Sequence, residues 1–406
     1  MIRHRTRRMT EQEWTFDKII QANGMDISFP MSETLLRTVG MDLSADIRRL
    51  RSRIKKYVEI SREIAKLAAK REAMATKAEA QGHVITARDN YFAAAVLYTG
   101  AQGTIHDDDN MENAVYSEKK NECYDRYIEH APHPIERVEI AFDDRYLPGL
   151  LHLPTRESRA FPCVVHFGGM DVVKEMLTSA YGDKFLERGI AVMSLDGPGQ
   201  NEARITRKIC CTADNFVTAG RAAMDFLLDR PEIDSNRIGI AGVSMGSFWV
   251  PQIVAHDHRY KAAAAFHVCH EPGMATLFTR SFPGFKERFM WMAGYEDETE
   301  FDEFAKLLTL KGLGQRIKCP ILIVAGEDDQ LSPIAYTHEF FGEIEAPKTL
   351  VIYKGEAHGI SDNLDEKALI ADWMMNRLEG VPIRSEHILM DGATGRELPT
   401  GPNTND

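Results

Sequence analysis

Two textures of hydrophobic patterning divide the 406-residue chain near position 134. Ahead of that point apolar residues recur at helical steps, and strand-like runs are scarce. From Asp46 to Gln81 no Gly or Pro interrupts the chain, and Ile47, Leu50, Ile54, Tyr57, Ile64 and Ala68 fall on one stripe. This spacing predicts a single long amphipathic helix, with Ser61 the one polar interruption of its packed face. A second helix is expected over Thr86–Tyr98, where alanines allow close approach of neighbouring helices. Pro132, His133 and Pro134 end the helical region.

From Ile135 onward short apolar runs alternate with helix-like segments. Val138–Phe142 and Leu147–Leu153 read as an opening antiparallel pair joined through Asp143-Asp144-Arg145. Further apolar runs lie at 163–167, 190–195, 238–241, 262–267, 321–325 and 348–353, most of them separated by segments such as Asp214–Leu228. The alternation predicts an α/β fold: a mostly parallel sheet with helices on both faces. An aromatic, Met-rich insertion from Pro272 to Gly314 follows one strand and is expected to cap a pocket. The expected organisation is a helical cap or dimerisation domain over 1–134, a catalytic domain over 135–381 and a flexible tail over 382–406. Within the tail, Ile388–Leu398 resembles the opening strand and loop of homocysteine methyltransferases, although no such domain follows.

Composition narrows the field. A hydrophobic content of 44% suffices for a full core, and a net charge of −12 argues against nucleic acid as the main partner. The basic start Met1–Arg8 has no apolar segment behind it, so it reads as a flexible start rather than a secretion signal. No apolar run approaches the roughly 18 residues of a membrane span. The six cysteines are scattered without paired spacing, which fits a reducing cytoplasm.

The chemistry centres on Gly242-Val243-Ser244-Met245-Gly246. An apolar strand precedes it and an apolar, helix-compatible stretch follows, the setting of a nucleophile elbow. A serine hydroxyl needs a base, and the base needs an orienting carboxylate. Asp329 lies in the acidic loop after the run at 321–325, and His358 in the loop after 348–353, so Ser244, Asp329 and His358 follow the order Ser, Asp, His. Of the neighbouring acids, Glu327 and Asp328 are expected to cap the turn or face solvent. An oxyanion hole is expected from the amide of Met245 and from Gly169 and Met170 in the Gly168-Gly169-Met170-Asp171 loop. Asp196-Gly197-Pro198-Gly199-Gln200 reads as a structural turn. His267, His270 and Glu271 follow the strand after the elbow and are candidates to assist substrate. No further ligand cluster accompanies them, so neither a metal nor a cofactor is expected. Tyr91, Tyr98 and Trp291 are candidates for the walls of an apolar, aromatic-tolerant pocket, with core packing the alternative for each.

With these motifs in place, the chain resembles the α/β-hydrolases that carry an N-terminal helical domain. That group includes 2,6-dihydroxypseudooxynicotine hydrolase and the fungal hydrolases that shorten polyketides in melanin synthesis. The segment Gly82–Ala95, leading to Tyr98 and Gln102, carries the likeness in the front half. The resemblance implies a cofactor-free hydrolase, tending to a homodimer, that cleaves a carbon–carbon bond next to a ketone in a small aromatic or acyl substrate. It also implies an acidic residue beyond the post-elbow strand, for which Glu271 is the match. A carboxylesterase or lactonase acting on bulky esters is the alternative. A propeller-fronted peptidase is disfavoured because the front has no repeats. A non-catalytic protein on this scaffold would be expected to lack part of the triad.

Overall fold

The computed structural model describes residues 4–26, 31–180, 183–360 and 365–399. Among the described residues six α-helices precede the first strand: α1 (Arg7–Asn23), α2 (Met31–Val39), α3 (Ser44–Arg53), α4 (Ile60–Ala80), α5 (Val84–Gln102) and α6 (Met111–Glu129). The long helix expected over Asp46–Gln81 is therefore two. Ile54 is extended (φ −73°, ψ 120°), and the Glu59 carboxylate accepts the amides of Lys55 and Lys56 at 2.8 and 3.1 Å. Asp17 accepts the amide of Tyr57 at 2.9 Å. Side-chain acceptors thus replace the helix carbonyls for these donors, and the break needs neither Gly nor Pro. The stripe still faces inward, with Ile47, Leu50, Ile54, Ile64 and Ala68 buried in one cluster and Tyr57 packed against it. Helix α5 is apolar nearly all round and runs through the middle of this cluster, with Ala94, Ala95, Val96 and Leu97 fully buried.

The sheet begins with the hairpin β1 (Ile135–Phe142) and β2 (Arg145–His152). Its parallel body is β3 (Phe161–Phe167), β4 (Ala191–Leu195), β5 (Ile233–Val243), β6 (Ala263–Phe266), β7 (Ile321–Gly326) and β8 (Lys348–Lys354). The connecting helices are α7 (Lys174–Ala180), α8 (Lys184–Glu187), α9 (Asn201–Ile205), α10 (Asn215–Leu228), α11 (Met245–His256), α12 (Pro283–Ala293), α13 (Glu298–Ala305), α14 (Ile334–Glu343) and α15 (Asp365–Leu378). One face of the sheet packs on α10 and α11, where the rings of Phe216 and Trp249 stack 3.6 Å apart. The other packs on α7, α8 and α15 through Leu177, Phe185 and Met374. Crossovers on both faces place the carboxyl ends of the parallel strands at one edge, where their loops gather.

The tail departs from expectation. Residues Glu386–Asp391 form β9, parallel to β8, and Glu397–Leu398 form β10, so the sheet has ten strands in the order β1-β2-β4-β3-β5-β6-β7-β8-β9-β10. Period-two alternation explains it. Ile388 and Met390 pack toward the α15 face, and Leu389 toward the α11 face. The likeness to another family's opening strand and loop amounts to this strand and turn. All six cysteines are free thiols. No helix among the described residues is long and apolar enough to cross a membrane.

The insertion between β6 and β7 holds α12 and α13 around Phe278, Phe289 and Phe301, whose ring centres lie 5.1–6.0 Å apart. Helix α1 is fastened onto it. Phe16 meets the ring of Phe282 edge-on at 5.0 Å, and the amide of Thr6 donates to Glu287 at 2.7 Å. Burial raises the Glu287 carboxyl from 4.5 to about 7, against the hydrogen bonds from Thr6 and the charge of Arg5. A carboxyl raised by folding holds its proton more tightly in the folded chain. Its contribution to stability is therefore complete below its unfolded pKa and is lost as pH rises through about 7. Thermal unfolding should show Glu287→Gln more stable than the parent at about pH 8, with the gap closing toward about pH 5. A gap that does not vary with pH contradicts this account.

Candidate active site

The sharpest backbone feature stands between β5 and α11. Ser244 has φ 56° and ψ −121°, a conformation that costs a non-glycine residue about 1–3 kcal/mol. The turn is held by the Ser244 amide donating to Phe266 O on β6 at 3.0 Å, and the Ser247 amide donating to Ser244 O at 2.8 Å. Two glycines make it possible. A Cβ on Gly242 would strike the carbonyl of Gly246, and one on Gly246 would lie 2.5 Å from Phe167 O on β3. Strand and helix can therefore cross closely enough to lift the serine hydroxyl above the sheet edge.

Three sequence-predicted residues meet there. His358 Nε2 lies 3.0 Å from Ser244 Oγ, and His358 Nδ1 lies 2.8 Å from Asp329 Oδ2. Asp329 is buried, and its other oxygen accepts the amides of Leu331 at 2.7 Å and Ser332 at 2.9 Å. With both oxygens engaged the carboxylate has one orientation, which fixes the proton of His358 on Nδ1 and leaves Nε2 to accept from Ser244. The neighbouring loop residues serve the frame: the amides of Glu327 and Asp328 donate to Tyr353 O and Glu356 O, each at 2.9 Å. This ties the acid loop to the histidine loop.

The Gly168–Asp171 loop passes beside the serine. A Cβ on Gly169 would come 2.8 Å from Ser244 Cβ, so this approach needs glycine. Gln200, read from the sequence as part of a structural turn, governs the loop. Its Nε2 donates to Gly168 O at 3.0 Å and Gly169 O at 2.7 Å, while its Oε1 accepts the amide of Gly197 at 2.8 Å. Arg288 Nε donates to Met170 O at 2.7 Å. In a trans peptide the N–H points opposite to the carbonyl. Anchoring the Gly168 and Gly169 carbonyls on Gln200 therefore turns the N–H groups of Gly169 and Met170 the other way. Met245, first residue of α11, brings the dipole of that helix to the same place. Gln200, directly after Pro198-Gly199, was legible as part of that turn; its reach across to the Gly168–Asp171 loop was not.

A cavity of about 290 Å³ opens at Ser244 and His358. Met31, Thr34 and Leu35 of α2, with Thr99 and Gly100 of α5, form its helical wall, and Leu277, Phe285 and Leu331 close another side. Tyr91, Tyr98 and Trp291 are not in its lining. The first two donate to Glu79 and Glu72 within the helical bundle, at 2.8 and 2.7 Å, and Trp291 Nε1 donates to Asp108 at 2.9 Å. Their hydroxyls and indole N–H each need a partner in a buried setting, and that demand set their place. Smaller residues of α5, Thr99 and Gly100, face the cavity instead.

The three candidates after β6 separate. Glu271 accepts the amide of Thr276 at 2.7 Å, serving the helical turn that follows rather than the cavity. His270 answers a different need. Pro251 in α11 has no N–H for the carbonyl of Ser247, and His270 Nε2 lies 3.3 Å from that oxygen, with Nδ1 3.2 Å from Thr337 Oγ1. Burial lowers the His270 imidazole to about 4, so it stays neutral there. His267 does line the cavity.

Comparison with known proteins agrees with this architecture. A family model described as esterase FrsA-like matches residues 63–379. The chain is 29% identical to the α/β-hydrolase xenA of Xenoacremonium sinensis over 57% of its own length and 55% of that protein. It thus spans about half of that relative. It is 26% identical to the 2,6-dihydropseudooxynicotine hydrolase of Paenarthrobacter nicotinovorans, over 77% of this chain and 83% of that one. The crystal structure of 2,6-dihydroxy-pseudo-oxynicotine hydrolase superimposes with a TM-score of 0.75 at 22% identity, covering 88% of this chain and 98% of that one, and so shares the fold.

If Gln200 sets the amides beside Ser244, Gln200→Leu should lower kcat on an activated ester on the order of 10–100-fold while changing KM little. A rise in KM with unchanged kcat would assign Gln200 to substrate binding instead.

Proposed function

Because the chain belongs to the esterase FrsA-like family of α/β-hydrolases, we propose that it is a serine hydrolase that cleaves a carbon–carbon bond next to a ketone in an aromatic or polyketide-like substrate. The observation that carries the serine chemistry is the unbroken run from Ser244 Oγ through His358 to Asp329, at 3.0 and 2.8 Å, in the wall of the cavity. His358 takes the Ser244 proton as Oγ attacks the acyl carbonyl. The amides of Met245 and Met170, with Gly169 giving the close approach, receive the negative oxygen. The bond to the departing fragment then breaks, and His358 returns its proton to that fragment. Water, activated by the same imidazole, releases the acid from Ser244.

The carbon–carbon reading rests on the resemblance to ketone-cleaving relatives and on a cavity whose lining as a whole is more apolar than polar, with Arg37 of α2, among the described residues, its one charged helical residue beside Thr34 and Thr99. A second reading, hydrolysis of bulky carboxylic esters, is favoured by the family's esterase description. The same triad serves both, because they differ only in what leaves. Ser244→Ala should abolish turnover of a p-nitrophenyl ester in a fold that still melts cooperatively; full activity would remove Ser244 from the mechanism. Product analysis with matched aryl 1,3-diketones and aryl esters separates the two bond types, and ester turnover alone would select the second.

A further inference from the structure

Next to the cavity at Ser244 lies a second, smaller chamber of about 30 Å³. Met31 of α2, Gly103 just after α5, Asp171 of the Gly168–Asp171 loop and Phe285 of α12 line both spaces, so the two adjoin along this edge. Tyr57, His106 and Arg288 are polar groups of the chamber alone. One water needs about 10–15 Å³, so the chamber has room for a hydroxyl group or a water or two, but not for a ring.

His106 gives the chamber an unmet need. It is 6% exposed, and among the described residues no hydrogen-bond partner reaches its Nε2. Burial, and after it the charge of Arg288, lowers the imidazole to about 3, against a hydrogen bond to the Gly103 backbone. The ring is therefore neutral and carries one N–H. That N–H is on Nδ1, donating to Gly103 O, and Nε2 is left as a bare acceptor. Arg288 is committed elsewhere. Its Nη1 donates to Gly103 O at 3.3 Å, its Nε donates to Met170 O at 2.7 Å, and the same Nε lies 3.1 Å from Asp171 Oδ1. Buried acceptors are rarely left without a donor, and here the donor has to come from what enters the chamber.

We propose that this chamber is a substrate subsite that takes a hydroxyl group carried by the acyl part of the substrate, with His106 Nε2 as its acceptor. The inference rests on the serine-hydrolase reading above. Position selects the acyl part. The departing fragment leaves beside His358, which protonates it, and among the described residues none from Ala357 to Gly359 lines the chamber. Asp171 instead continues the loop whose amides receive the carbonyl oxygen, so the chamber adjoins the cavity on the side where the acyl group stays. The ring or chain that bears the hydroxyl lies in the cavity against Met31 and Phe285, and only the hydroxyl enters. A site built on a buried acceptor discriminates against analogues that lack the donor, because the acceptor then stays unpaired.

The test measures kcat/KM for p-nitrophenyl esters of benzoic and phenylpropionic acids, each unsubstituted, hydroxylated at the meta or para ring position, and as the matching methyl ether. The ether reproduces the electronic effect of the oxygen on the carbonyl but has no proton to donate. The parent should favour one hydroxylated ester about tenfold over both of its partners, the scale of one buried hydrogen bond. His106→Leu removes the acceptor and should bring that ratio to about one, whereas His106→Gln keeps a side-chain acceptor and should retain part of it. A ratio taken within one preparation is not moved by a loss of folded enzyme, so a merely structural role for His106 leaves it at the parent value. A parent without the preference, an ether accepted as readily as the hydroxyl, or a preference that survives His106→Leu would overturn the inference and leave the serine-hydrolase reading intact. A parent that hydrolyses none of the esters would overturn that reading and this inference with it.

Discussion

A cluster of buried charges fastens the helical front to the sheet, and the site depends on it. Lys120 of α6 reaches Glu175 of α7 at 3.1 Å, and Lys174 lies 2.8 Å from Glu175, 3.2 Å from Asp196 and 2.6 Å from Glu202. None of these side chains is more than 11% exposed. Burial alone would push the Glu175 carboxyl up, but Lys120, Lys174 and Arg137 together hold it well below the usual range. Removing one partner of such a buried set leaves an uncompensated charge, at a cost of about 3–5 kcal/mol. The members flank the loops of the candidate site. Lys174 and Glu175 open the helix after the Gly168–Asp171 loop, Asp196 begins the turn that carries Gln200, and Lys120 also donates to Asn201 at 2.8 Å. One ionic cluster thus sets both the amides beside Ser244 and the docking of the helices above them.

The strained serine follows from the same economy of position. A residue at φ 56° persists only where its surroundings determine the backbone on every side, and here β3, β6 and α11 do so. His358 and Asp329 arrive on loops that are bonded to one another through the amides of Glu327 and Asp328. Three loops from three strands are therefore registered by backbone hydrogen bonds before any side chain takes part. Distances of 3.0 and 2.8 Å are the outcome of that registration.

The sequence carries some of these residues openly and hides others, for physical reasons. Ser244, Asp329 and His358 were legible because each follows an apolar run at a strand's end, and strand ends in a parallel sheet share an edge. The strand segments were legible for the same reason. Gln200 was not separable from ordinary polar residues, since its role depends on contacts between segments far apart in the chain, and His267, His270 and Glu271 were singled out together with nothing in the sequence to divide them. Tyr91, Tyr98 and Trp291 looked like pocket residues by type, yet a buried hydroxyl or indole N–H goes where a hydrogen-bond partner is. The break at Ile54 escaped notice because Glu59 and Asp17 supply the cap from side chains, one of them far upstream. The ordered β9 was obscured by its position beyond the last expected helix, although its alternation of Ile388, Leu389 and Met390 fits a strand covered on both faces.

Chemistry and selectivity consequently sit on different parts of the molecule. The proposed triad stands on loops of the sheet, whereas Met31, Thr34 and Leu35 of the helical front line another part of the same cavity. Changing that wall alters which acyl group fits without moving Ser244 or His358. The bond that breaks is a separate matter, because acylation of the serine is the same for an ester and for a ketone. An alkoxide leaves with its charge on an oxygen within reach of His358, but an enolate carries its charge two bonds beyond the carbon that His358 protonates. Only a donor outside the triad can meet that charge. The choice between the two reactions therefore rests on what the cavity wall next to His358 offers to that charge.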